Sequence, residues 1–210
     1  MDNMTLASIL KISIVIPILL VCSVVMLAYA LERFWAFIRV GRLDGHMAER
    51  IKQAVRQGQI KDAIMLCAKN QNFMTHALEV ALNAASFPRE EMESIFALYR
   101  MKLQGLLNKH LGVFGTLSFI APLLGLLGTV LGVIRAFRDL ALSGSGGPTI
   151  VAAGIAEALI ATACGIAVAV TSAILYNYFT TRVRSIVQNF DLLSQEVAIL
   201  VYTGAEKGHR

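Results

Sequence analysis

The stretch Ile150-VAAGIAEALIATACGIAVAVTSAILYNY-Phe179 is apolar over more than the roughly 20 residues a helix needs to cross a bilayer, yet it carries Glu157. No other charged side chain lies between Leu140 and Thr181. An isolated ionisable group at bilayer depth costs roughly 2.5 to 3.5 kcal/mol on insertion scales, so such groups face a bundle interior or a watery path. This one stretch therefore predicts a membrane helix that handles protons or ions.

Working outward, Ile12–Leu31 and Leu111–Ile134 are two further runs without charge. Of 210 residues 56% are hydrophobic and 16% charged, and the apolar ones fall in blocks rather than in the periodic manner of a soluble core. The expected fold class is all-α: a three-transmembrane-helix membrane protein whose long helices extend into a cytoplasmic helical base. The spans are residues 12–31, 111–134 and 150–179. Between and around them come a short periplasmic N-terminus (1–11), a cytoplasmic helical region (32–110), a periplasmic turn (135–149) and a cytoplasmic C-terminal helix (180–210).

The orientation rests on charge. Lys and Arg concentrate between Arg33 and Lys109, and Arg182, Arg184, Lys207 and Arg210 follow the third span, whereas the opposite side receives only Lys11, Arg135 and Arg138. Basic loops stay on the cytoplasmic side, which puts the N-terminus outside and the C-terminus inside. Ala28-Tyr29-Ala30 resembles a signal-peptidase site, but the preceding run is longer than a signal h-region and Lys11 is offset by Asp2, so cleavage is not expected.

A net charge of +5 and a pI near 9.3 do not point to nucleic acid. The basic residues are interleaved with Glu49, Asp62, Glu79, Glu90, Glu91 and Glu93, with no basic stripe carrying aromatics. Contact with anionic lipid headgroups fits them better. Cys22, Cys67 and Cys164 read as free thiols without metal spacing. His46, His76, His110 and His209 lie outside the spans, and neither a Ser-His pair nor an Asp pair falls at membrane depth. With no Gly-rich phosphate loop ending in Lys-Ser or Lys-Thr either, the chain is not expected to be an enzyme or to hold a cofactor or metal. Its work must come from an ion gradient or a partner.

Between Glu32 and His110 the chain turns amphipathic. Ile51, Ala54, Val55 and Gly58, then Ala63, Ile64, Leu66 and Cys67, recur at helical spacing and predict short helices. Ser86-Phe87-Pro88 interrupts them, and Glu90 and Glu91 occupy what would be the first turn of a new helix, where its dipole favours acids. No strong breaker follows before the glycines of the second span, so that helix is expected to run unbroken from Pro88. The segment is too small for a substantial core of its own and should pack as extensions of the membrane helices or against neighbouring copies. Ser143-Gly144-Ser145-Gly146-Gly147-Pro148 is a turn joining spans two and three as an antiparallel hairpin.

At 100° per residue, Glu157, Ala161, Cys164, Val168, Thr171 and Leu175 form one stripe down the third span, able to border a pore or admit another helix. Thr162 lies about 140° away from Glu157 and faces a neighbouring helix. Thr129 sits among Gly125, Gly128 and Gly132, where backbone can be approached closely; a Thr in a membrane helix also bonds back to its own backbone, which is the plainer reading of both hydroxyls. Gly128 and Gly132, Gly154 and Ala158, and Ala161 and Gly165 are small pairs four apart, the spacing that brings helices together in lipid. They predict tight packing and oligomerisation, and leave span one, with its bulky Ile, Leu and Val, facing lipid.

Two of these segments, Ala121-PLLGLLGTVLGV-Ile134 and Gly154-IAEALIATACG-Ile166, resemble the ExbB/TolQ/MotA proton-channel family, and its ExbB/TolQ branch in particular. The likeness runs from about Met74 to Asn177 and includes Tyr176-Asn177; the first span agrees in layout and in Glu32-Arg33-Phe34. The resemblance implies a homopentamer in the bacterial inner membrane whose second and third helices line a central pore. Transmembrane helices of two copies of an ExbD/TolR-like single-span protein would occupy that pore and bring the proton-carrying Asp, and a TonB- or TolA-like protein is a further implied partner. It also implies pathway roles for Glu157, Thr162 and Thr129. Where relatives have Pro in the third helix this chain has Val170-Thr171-Ser172-Ala173, so no kink is obligatory and Thr171 adds a hydroxyl to the Glu157 stripe.

Two readings stay open at this level: a subunit of a proton-driven motor acting on the outer envelope, for TonB-dependent uptake or Tol-type maintenance, and a non-conducting membrane scaffold that stabilises a single-span partner. A solute transporter is weaker, because three spans offer no inverted repeat.

Overall fold

The computed structural model describes residues 14–40, 45–69, 72–85, 88–143 and 147–208. The predicted N-terminal segment 1–11, Arg42, Ser86-Phe87, the Gly144–Gly146 part of the turn and His209 lie outside the described residues. Those described form helices α1 (Val15–Val40), α2 (Gly45–Arg56), α3 (Ile60–Lys69), α4 (Phe73–Asn83), α5 (Arg89–Asn108), α6 (Leu111–Ser143) and α7 (Gly147–Gly208), with no strand among them. The chain is all-α, and three of its helical stretches are long and apolar enough to cross a membrane. It divides into two compact units, Met1–Leu31 with His110–Phe179, and Glu32–Lys109 with Thr180–Arg210.

In the first unit α6 is 33 residues long, about 50 Å, ample for a hydrocarbon core of about 30 Å. It passes through Pro122 without ending. The cluster of Val15, Leu19, Ala121 and Ala169, with Leu124, Leu131, Cys164 and Val168 against it, packs α1, α6 and α7 together. Ser172 is buried and donates to the Met26 Sδ at 2.9 Å, so a polar side chain of α7 is satisfied by α1. Phe114 and Phe179, both fully buried, meet at 5.6 Å between ring centroids.

The second unit has a core of the kind found in water-soluble helical proteins. Ile51, Val55, Leu78, Leu82, Met92, Leu103, Leu107 and Phe190 are fully buried. On α7 the buried positions Val183, Val187, Phe190, Ser194, Val197 and Val201 recur at alternating three- and four-residue steps, the single stripe of an amphipathic helix. Phe96 of α5 meets Phe190 edge-on at 6.3 Å, and Arg100 pairs with Asp191 at 2.9 Å. Lys52 of α2 reaches Glu196 at 2.9 Å and also pairs with Glu49. The hydrogen bonds that the Lys52 ammonium donates to those carboxylates hold it above its ordinary range and hold Glu49 below its own. Burial pushes the Cys67 thiol up to about 12.

Local chemistry sets the short helices. Asn72 caps α4, its side chain accepting from the Thr75 amide at 2.8 Å while the Thr75 hydroxyl accepts from the Asn72 amide at 3.1 Å, a reciprocal capping box. Gly58, expected on the apolar face of α2, instead ends that helix. Its φ is +73°, its amide bonds the Val55 carbonyl and the Gln59 amide bonds that of Ala54, the left-handed terminus that glycine adopts without a Cβ penalty.

The helix expected to run unbroken from Pro88 is two helices. α5 stops at Asn108 and α6 starts at Leu111, with His110 at φ 63°. No Gly or Pro announces the break, though His is among the non-glycine residues enriched in the left-handed region. The His110 ring lies 4.7 Å from that of Tyr29, and the Arg33 guanidinium donates to the Leu106 carbonyl at 3.1 Å, taking up one of the last carbonyls of α5 that the helix leaves unpaired. Conversely, the third span and the C-terminal helix are one element, α7, 62 residues without interruption.

Candidate functional site

The candidate residues all lie in the membrane unit, on α6 and α7, and glycines decide how these two helices meet. A methyl group on Gly132 would stand 2.6 Å from the Ala158 Cβ, one on Gly128 2.6 Å from the Ala161 Cβ, and one on Gly154 2.5 Å from the Ala136 Cβ. On Gly165 it would stand 2.6 Å from the Ala121 carbonyl oxygen and 3.0 Å from the Gly125 Cα. The partners run down α6 as they run up α7, so the helices are antiparallel and meet glycine against alanine. Lipid tails are as apolar as the helices, so association there depends on close packing rather than on expelling water. These small residues, predicted to pack tightly, are spent within one chain: each glycine faces the other helix of the same hairpin.

The same seam carries the one inter-helical hydrogen bond among the candidates. Half-buried Thr162 donates to the Gly125 carbonyl at 2.9 Å, across the point where a methyl on Gly125 would come within 3.0 Å of the Thr162 Cα. Thr129 donates instead to the Leu126 carbonyl at 2.7 Å and Thr171 to that of Ala167 at 2.9 Å, each within its own helix. The donor of every candidate hydroxyl is therefore occupied, while its oxygen lone pairs remain able to accept.

Glu157 is exposed on the surface of this unit and forms no hydrogen bond or ion pair with the described residues. Its neighbour Ala158 is buried against Gly132. The stripe drawn from Glu157 to Leu175 is open at Glu157 and Thr171, but its middle is covered. Ala161 is fully buried, and Cys164 and Val168 pack on the α1–α6 cluster. Of the six residues, only Glu157 and Thr171 are exposed.

Around Glu157 the exposed face of α7 is lined by alanines, Ala153, Ala156, Ala163 and Ala167. Sequence reasoning passed over these four, although the step from Ala163 to Ala167 is the same four-residue step noted on the buried side. The Ser172–Met26 contact and the seat of Tyr176, whose ring lies 3.4 Å from where a Gly115 methyl would be, carried no sequence signal, because in each pair the partner lies on a different helix.

The family model of the MotA/TolQ/ExbB proton channel family matches residues 46–192, which include Glu157 and all three threonines. The chain belongs to that family. It is 28% identical over 167 residues to an ExbB homologue of Methanothermobacter thermautotrophicus, covering 79% of this chain and 59% of that one. It is 29% identical over 170 residues to the biopolymer transport protein ExbB of Pseudomonas putida, covering 76% and 50%. To the Tol-Pal system protein TolQ of Haemophilus influenzae it is 38% identical over 101 residues, covering 47% and 43%. The chain thus spans between about half and three fifths of the two longer-matching relatives. Among solved structures, that of C. jejuni MotAB superposes with a TM-score of 0.68 over 93% of this chain and 77% of the other at 17% identity, a likeness of fold. A multi-pass membrane protein of the MotA/TolQ/ExbB family is what the three apolar helices and the family match together describe.

Proposed function

We propose that this chain is the ExbB/TolQ-like subunit of a proton-driven motor in the bacterial inner membrane, with the N-terminus periplasmic and the C-terminus cytoplasmic. It assembles as a homopentamer around two copies of an ExbD/TolR-like single-span protein and passes work to a TonB- or TolA-like protein, for uptake or for envelope maintenance. The observation that carries this reading is Glu157: a carboxylate in an otherwise uncharged span, exposed on its own chain and lying inside the segment that matches a proton channel family. A carboxylate exposed to hydrocarbon alone would be costly, so an assembly that turns Glu157 toward a watery lumen or a partner removes that cost.

The hydroxyls fit a defined role in that lumen. With their protons engaged by Gly125, Leu126 and Ala167, Thr162, Thr129 and Thr171 present acceptors. They suit a protonated carboxyl or a water rather than a carboxylate. A partner Asp would then be held while neutral and released on ionising, and each charge crossing 100 mV delivers about 2.3 kcal/mol.

The test is proton flux into liposomes holding this chain with its ExbD/TolR-like partner, comparing wild type with Glu157→Gln after both complexes are shown to assemble. Flux in the variant is expected to fall roughly a hundredfold, the scale of losing a positioned proton-transfer group. Equal flux from an assembled Glu157→Gln complex would sink the pathway role. No flux from the assembled wild type would leave Glu157 as a buried anchor in a non-conducting scaffold.

A further inference from the structure

Pro122 lies inside α6, and the helix continues past it. A proline has no N–H, so the Ser118 carbonyl, four residues earlier in the same uncharged run, loses the donor that an α-helix would give it. The nearby hydroxyls do not replace that donor. Ser118 gives its own proton to the Gly115 carbonyl at 2.8 Å, and Thr162, the hydroxyl that crosses from α7, gives its proton to the Gly125 carbonyl. At bilayer depth a carbonyl freed in this way must be met by a neighbouring group or by water.

The place of this carbonyl matters as much as its freedom. At 100° per residue Ser118, Pro122, Gly125 and Thr129 fall within about 60° of one another on α6. Ser118, Pro122 and Thr129 are half-buried, as is Thr162, which reaches the row at Gly125. Leu124 and Leu131, which pack on the cluster that α1 joins, are about 120° or more away from both Ser118 and Thr129. The row therefore runs along the edge of the α6–α7 seam that α1 does not cover. Followed towards the start of α6, its acceptors are the Thr129 oxygen, the Thr162 oxygen at Gly125 four residues earlier, and the Ser118 carbonyl seven residues before that, about 10 Å further on.

We propose that the Ser118 carbonyl, kept open by Pro122, is a further water-binding position on the proton path, continuing the acceptor row of Thr129 and Thr162 towards the N-terminal end of α6. This rests on the proton-conducting reading above. The occupant is water, because one carboxyl held at the threonines does not span the roughly 10 Å to the next acceptor, whereas a short chain of hydrogen-bonded waters does. Pro122 acts through Ser118 and is a positioning residue.

The test compares three forms of residue 122 in the assembled complex in liposomes. Pro122→Ala returns an N–H to the Ser118 carbonyl. Lactate at position 122, introduced as an α-hydroxy acid during in vitro translation, has the alanine methyl but an ester oxygen in place of the N–H. Pro122→Ala is expected to pass protons roughly tenfold more slowly than wild type, the scale of one hydrogen bond, while its thermal midpoint holds or rises because the helix regains a bond. The lactate form, with the carbonyl free again, is expected to recover conduction. Equal flux from Pro122→Ala and wild type overturns the proposal and leaves the proton-driven reading standing. Flux lost together with a lower midpoint, or a lactate form as slow as Pro122→Ala, also overturns it, since packing of the ring and not the open carbonyl would then matter. A wild-type complex that assembles and passes no protons overturns both readings.

Discussion

The two units are built from the same kind of element and held by opposite means. In the membrane unit the α6–α7 contact is made by removing side chains, with Gly125, Gly128, Gly132, Gly154 and Gly165 letting backbone meet alanine or backbone at van der Waals distance. In the other unit contact is made by filling space, with Phe96, Leu103, Leu107 and Phe190 buried between amphipathic helices and ion pairs at the rim. The difference follows from the solvent. Burying a Leu or Phe side chain that water would otherwise touch is worth roughly 1.5 to 3 kcal/mol. That driving force is absent where lipid is the alternative, so dispersion at close approach takes its place.

Breaking each side of this contrast should cost differently. Phe190→Ala empties a fully buried aromatic site and is expected to destabilise the second unit by about 3 to 5 kcal/mol. With Cys22 and Cys164 replaced by Ser, maleimide labelling of Cys67 reads this directly. Its thiol is buried with its pKa raised to about 12, so it is silent at neutral pH until that unit opens. Labelling no faster than in the parent would contradict a core held by filling.

Gly165→Ala adds one methyl group where the obstacles are the Ala121 carbonyl and the Gly125 backbone. The loss is expected to be about 1 to 3 kcal/mol, seen as a lower thermal midpoint in detergent. Gly112→Ala, which meets nothing within 4 Å, serves as the control and should be close to neutral. If both variants melt alike, close approach is not what holds the hairpin. Thr162→Val removes the bond to the Gly125 carbonyl while keeping the shape, and should cost only about 0.6 kcal/mol, the average for inter-helical polar contacts in membranes. The same variant sharpens the functional reading, since flux falling much further than stability would assign the hydroxyl to the proton path.

A further small effect concerns the rim. Lys52 has its pKa raised by Glu196 and Glu49, so its stabilisation is fully present below its ordinary pKa of 10.5 and is lost as pH rises through the higher folded value. Lys52→Met should therefore lower stability at neutral pH by less than about 1 kcal/mol, and the gap to wild type should close at strongly alkaline pH. A gap that stays constant with pH would mean that the Lys52 stem, not its charge, contributes.

Much of this was legible beforehand. The uncharged runs around Met26, Gly125 and Gly165 give three helices because an apolar run of about 20 residues is a helix's length at bilayer depth, about twice that of a barrel strand. Glu157 identified itself by being alone, and the small pairs by their four-residue step. Other readings failed for identifiable reasons. Gly58 sat at a helical spacing and was counted on an apolar face, whereas its φ made it a terminus. The break at His110 had no local signal, since Tyr29 lies on another helix and so does Arg33, the residue that caps α5. The stripe from Glu157 to Leu175 was drawn as one surface, and α1 and α6 cover its middle.

By itself, then, the sequence determined that this is an all-α membrane chain of the MotA/TolQ/ExbB kind, with one carboxylate in its third span, because hydropathy, charge and the two glycine-rich segments are properties of residue order. Only the tertiary structure decided that the glycines pack against the facing helix of the same chain, that Thr162 bonds across the helices while Thr129 and Thr171 bond back, and that Arg33 turns inward and leaves Trp35 on the surface. Each of those outcomes depends on which groups of distant helices come within a few ångströms, and no spacing along the chain encodes that distance.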